Sequence, residues 1–131
     1  MNDLLIQIYA SELDHLEIQK RADALSSLGK LSKEQQAELD DYNRGLKHNR
    51  GLIDKWMITL KKQGITTLDS TERQAVLDKQ ILKEQGDKVE VQSVASKSEA
   101  PDPDLIKQIA EKDNRVAILN ELKARATIWQ L

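Results

Sequence analysis

Apolar residues recur along this chain at spacings of three and four, and the period-two alternation of a half-buried strand is nearly absent. Leu5, Tyr9, Leu13 and Leu16, followed on a displaced stripe by Ile18, Ala22, Leu25 and Leu28, predict a first helix over 3–28 with a broad apolar face. Leu39, Tyr42, Leu46, Asn49, Ile53, Trp56 and Leu60 alternate the two spacings for three heptads, the pattern of a coiled-coil seam on a second helix over 33–63. Leu52 and Met57 widen that face on its flanks. Val76, Leu77, Ile81 and Leu82 predict a third helix from about 70 to 85. A last helix over 103–129 follows from Leu105, Ile109, Val116, Leu119, Leu122, Ala126 and Trp129, its C-terminal half having the better apolar face.

Punctuation supports these boundaries. Gly29, Gly64 and Gly86 each follow a helical run where a left-handed cap is wanted, and Leu31 is placed for the hydrophobic contact of a Schellman turn. Ser32 with Gln35 reads as a capping box, Asp69 with Glu72 as a similar start, and Asp102-Pro103-Asp104 as an Asp cap with Pro at the first helical position. Gly45 and Gly51 oppose the second helix, since each costs about 1 kcal/mol relative to Ala in a helix interior. A continuous helix is expected, with a break into 33–44 and 52–63 as the alternative. Residues 87–101 hold no Leu or Ile, are rich in Ser, Lys, Glu and Val, and end in Ala100-Pro101, which predicts a flexible linker. Lys88 to Val91 alternate like a strand but have no partner run.

The expected class is therefore all-α: a helical hairpin with additional helices, packed as a bundle or coiled coil. Residues 1–86 would form the bundle core from the hairpin and third helix, 87–101 the linker, and 102–131 a C-terminal amphipathic helix packing in cis or in trans.

Composition sharpens this in one respect. Of 131 residues only 3% are aromatic, two Trp and two Tyr with no Phe, so any core is built from aliphatic side chains and is thin. Such a chain gains burial from long helices or from a second copy, and a homo-oligomer, with a dimer favoured, is expected. Asn49 on the seam would then fix register by pairing with its symmetry mate, or else mark a break in the helix. The absence of cysteine removes disulfides, thiolate nucleophiles and Cys-ligated metals and fits a reducing cytoplasm. No signal peptide or membrane span is expected from an N-terminal region whose longest apolar run is Leu4 to Ile6.

Candidate chemistry is sparse. Glu12 and His15 have the spacing that di-iron bundles use twice, but it occurs once, and a solvated surface pair is the expectation. Two histidines on helical, mostly charged surfaces offer little material for a Ser-His-Asp arrangement, and Gly45 to Gly51 lacks P-loop spacing and its Lys. No catalytic residue, cofactor or metal ligand is assigned. The sharpest local feature is the near-repeat Asn43-Arg44-Gly45-Leu46 and Asn49-Arg50-Gly51-Leu52. Arg44, Lys47, Arg50, Lys55, Lys61 and Lys62 partly share one side of the helix and could contact phosphates. The competing account is dipole compensation and solubility, because the second helix begins acidic and ends basic. A net charge of −2 argues against a globally basic nucleic-acid binder. The expected function is a non-enzymatic interaction module (an adaptor, chaperone, inhibitor or assembly factor) that binds an unidentified protein partner through apolar faces. Leu39, Tyr42, Leu46, Asn49, Ile53, Trp56, Leu60, Leu119, Leu122 and Trp129 would carry those faces. The two Trp read as buried anchors, or, for the end Trp129-Gln130-Leu131, as a segment docking in a partner's groove. Nucleic-acid binding through the strip 44–62 is the alternative, and no membrane partner is expected.

Overall fold

Local chemistry sets where the helices start. In the computed structural model, which describes residues 3–97, 100 and 102–129, Ser32 Oγ accepts from the Gln35 amide at 3.1 Å while Gln35 Oε1 accepts from the Ser32 amide at 3.0 Å. This closed capping box opens α2, Lys33–Lys62. Asp102 likewise accepts from the Asp104 amide at 2.9 Å, with Pro103 at the first position of α4, Pro103–Lys123. The other two helices are α1, Asp3–Ser26, and α3, Ser70–Ser96. No strand occurs among the described residues, and the class is all-α.

Helix ends follow the same logic. Gly29 and Gly64 have φ of 78° and 85°, the left-handed region that a Cβ penalises. At Gly64 the motif is complete: Ile65 N–H donates to the Leu60 carbonyl and Gly64 N–H to that of Lys61, both at 3.0 Å. α2 is continuous through Gly45 and Gly51.

The chain forms two compact units, Met1–Asp69 with Thr127–Leu131, and Ser70–Ala126. In the first, α1 and α2 are an antiparallel hairpin whose core is Leu5, Ile8, Tyr9, Leu13, Ala22, Ile53, Met57 and Leu60, completed by Trp129. Gly45 faces Ile18 across the hairpin, where an added Cβ would lie 3.9 Å from Ile18 Cδ1. The Tyr9 hydroxyl accepts from the Asp69 amide at 3.0 Å, fixing the chain just after the hairpin.

The second unit is the antiparallel pair α3 and α4. Leu77, Ile118, Leu119 and Leu122 form its small apolar core, and charged groups extend the contact. Glu84, nearly buried, meets Lys112 at 3.1 Å and Arg115 at 3.0 Å. Asp87 approaches Lys112 at 3.6 Å, Lys88 pairs with Asp113, and Lys123 with Asp78.

These pairings explain where the structure departs from the sequence reading. The expected stop at Gly86 and linker over 87–101 are corrected: α3 runs through Gly86 to Ser96. Glu84, Lys88, Val91 and Ala95 recur at four, three and four residues on its inner face, and the ion pairs hold the helix beyond the glycine. Ser98, Glu99 and Pro101, the rest of that linker, lie outside the described residues. The unit boundary falls after Asp69 rather than near 86, with α3 grouped with α4. The last helix is also shorter than expected. Arg73 donates to the carbonyls of Leu122 at 2.8 Å and Arg125 at 2.9 Å, and Gln74 to that of Lys123 at 3.0 Å. α4 ends at Lys123, so Trp129 is not on it, and Arg73 and Gln74 bond carbonyls at and just beyond its last turn that no further helical amide reaches. α1 closes at Ser26, two residues earlier than its pattern suggested.

At Gly86, where an added Cβ meets nothing within 4 Å, Gly86→Ala should raise the unfolding free energy by about 0.5–1 kcal/mol in urea denaturation. Gly64→Ala, at positive φ, should lower it by about 1 kcal/mol in the same measurement.

Candidate functional site

α2 presents two faces to different surroundings. On the inner face Ile53 and Leu60 are fully buried, and Leu39, Tyr42, Leu46, Asn49 and Trp56 are half-buried. Tyr42 donates to Glu38 Oε1 at 2.7 Å, and that bond, with burial and the Glu38 charge, pushes its pKa up against an opposing effect of Arg21. Leu119 and Leu122 are buried in the other unit. The expectation that Ile53, Leu60, Leu119, Leu122 and Trp129 form a partner face is therefore corrected. Within one chain they are at most 2% exposed, and a partner could reach them only by opening the fold.

About half a turn round α2 from Ile53 and Leu60 stand Lys55 and Lys62, two residues further along in each case. Here Arg44, Lys47, His48, Gly51, Leu52 and Lys55 line an open groove of about 470 Å³. Gly51 forms its floor, and an added Cβ there would have nothing within 4 Å. Arg44 pairs with Asp41, and Arg50 with Asp54 at 3.2 Å, so acidic neighbours offset those two charges. Lys61 and Lys62 lie in the last turn, beside the negative end of the helix. The strip named from sequence is thus split: Arg44, Lys47 and Lys55 share the groove, Lys62 continues their line, and Arg50 and Lys61 lie to one side. Arg50 also lies 5.6 Å above the Trp129 ring.

One polar site in the first unit was not legible as one. Glu12 is fully buried rather than solvated, and its Oε1 accepts from Thr127 Oγ1 at 2.8 Å and the Ile128 amide at 2.9 Å. Trp129 Nε1 donates to the Ile8 carbonyl at 3.1 Å, and His15 meets the indole edge-on at 4.8 Å. Trp129 is 2% exposed, so of its two expected roles the buried anchor is the one observed; Gln130 and Leu131 lie outside the described residues. The signals in the sequence were slight: an acid on the apolar stripe of α1, and a Trp just past a helix end. Glu12 and His15 are committed to this segment, and no group of three potential metal-binding side chains occurs among the described residues. Burial lowers the His15 pKa from its ordinary value of 6.5, and the neighbouring Arg50 charge lowers it further.

No helix among the described residues is long and apolar enough to cross a membrane. No protein-family model, curated protein or solved structure matches the chain.

Glu12→Ala leaves two half-buried donors, Thr127 Oγ1 and the Ile128 amide, without their acceptor. It should cost about 2–3 kcal/mol of stability and expose Trp129, seen as a red-shifted fluorescence maximum in a Trp56→Phe background. Because the folded chain holds His15 with a depressed pKa, the stability it contributes is complete above 6.5 and lost as pH falls below that value. The urea midpoint should fall between about pH 7 and about pH 5, and His15→Gln should reduce that slope.

Proposed function

We propose that this chain is a non-enzymatic helical interaction module, an adaptor, chaperone, inhibitor or assembly factor, acting through an apolar helix face in the cytoplasm. The observation that carries this reading is the outer stripe of α3. Leu82 and Val89, one heptad apart, are 70% and 63% exposed with Gly86 between them. Side chains of that size left in water on one line of a helix are the usual raw material of helix pairing. The first partner on this reading is a second copy of the chain. Lys83 and Glu90 flank the stripe on one side, and neither has an ion pair within the chain among the described residues. Antiparallel two-fold pairing about Gly86 would bring Lys83 of each copy toward Glu90 of the other, with the glycines allowing close approach. The half-buried Leu39, Tyr42, Leu46 and Asn49 supply a second, weaker face for a heterologous protein partner.

Light scattering over a concentration series should show the mean mass rising toward twice that of one chain. Leu82→Asp with Val89→Asp should hold it at one chain with circular dichroism unchanged. A wild-type chain that stays monomeric at the highest concentration reached refutes the self-pairing.

A further inference from the structure

We propose that the outer groove of α2 is a binding site for the phosphate backbone of a nucleic acid, with Lys47 and Lys55 as its principal contacts. The site is on a different helix and in a different unit from the α3 stripe, so the two readings stand or fall separately.

Charge placement comes first. Between Arg44 and Lys62 the sequence has six bases and one acid, Asp54. Arg44, Lys55 and Lys62 are spaced by eleven and seven residues, about three turns and two turns, so they form a straight ridge about 27 Å long on the face turned away from the hairpin core. The helix dipole accounts for Lys61 and Lys62, because its influence falls off within the last turn. It does not account for Lys47 or Lys55, which lie well inside the helix and have no ion pair among the described residues.

The floor of the groove is the second observation. Glycine in a helix interior costs about 1 kcal/mol relative to Ala, and at Gly51 no neighbour within 4 Å requires the missing side chain. Packing therefore gives no reason for it. What the missing side chain does is let a group approach the α2 backbone between Lys47, His48 and Lys55, which project around it. These side chains offer flexible N–H donors and positive charge with no acid among the groove residues, which suits phosphodiester oxygens. A membrane surface is the poorer match, since Ile58 is the only large apolar side chain strongly exposed along this ridge and gives little to insert.

The test is fluorescence anisotropy of a labelled duplex DNA of about 20 base pairs, titrated with the full chain over a salt series. If Arg44, Lys47, Lys55 and Lys62 each neutralise one phosphate, log K should fall against log salt with a slope of about −3.6. Lys47→Glu with Lys55→Glu should weaken low-salt binding by about tenfold or more and reduce the slope by about two. Gly51→Leu should weaken it while raising thermal stability, a combination that a purely structural role would not give. Lys107→Glu, an exposed residue of α4, is the control and should change nothing. The proposal is overturned if no binding appears at the lowest salt, if the double variant binds like the wild type, or if vesicles rich in phosphatidylserine bind the chain while the duplex does not.

Discussion

Backbone groups that a helix cannot satisfy for itself must find partners when they are buried, and in this protein two buried charged side chains supply them. Arg73 takes the carbonyls of Leu122 and Arg125 at the end of α4, and Glu12 takes the Thr127 hydroxyl and the Ile128 amide just after it. The first arrangement satisfies carbonyls left at the end of α4, which stops at Lys123. The second decides what the released segment does, because Ile128 held against Glu12 leaves Trp129 in reach of the Ile8 carbonyl. Each charge carries a desolvation cost that only several good hydrogen bonds offset, so each is tolerated only where its partners are fixed.

The thinness of the core makes these contacts matter more. With no Phe and few other aromatics, the second unit buries few large side chains and relies on charge pairs to lengthen the contact of α3 with α4. Glu84 between Lys112 and Arg115 is the centre of that arrangement. It acts as a register mark, since sliding one helix by a residue would leave a nearly buried carboxylate without its cations.

How much of this could be read beforehand depended on distance along the chain. The capping box at Ser32, the left-handed turns at Gly29 and Gly64 and the Asp102-Pro103 start are local devices, set within a few residues, and the sequence reading placed them correctly. Gly86 misled because a glycine inside a helix and a glycine after one look alike in sequence. What separates them is the pairing of Asp87 and Lys88 with residues some 25 positions away on α4. The same limit hid Arg73 and Glu12, whose partners are 49 to 116 residues distant. The heptad pattern of α2 was legible, but a seam does not say whether its partner is the same chain. In this structure α1 takes up its C-terminal half at Ile53, Met57 and Leu60.

That assignment of the seam changes how the charges on α2 are to be weighed. A helix with a buried face has its rotation fixed, so the opposite side chains are held toward solvent as a set rather than free to turn inward. Solubility alone would be served by any mixture of signs on that face, and mixed signs are the usual state of protein surfaces. The start of α2 is acidic, with Glu34, Glu38, Asp40 and Asp41 against Lys33; from Lys47 to Lys62 only Asp54 remains among the bases, and it is engaged with Arg50. The excess is therefore local to the stretch that carries the uncovered glycine. Charge and open backbone coincide at Gly51, and neither helix propensity, dipole compensation nor hairpin packing requires them to.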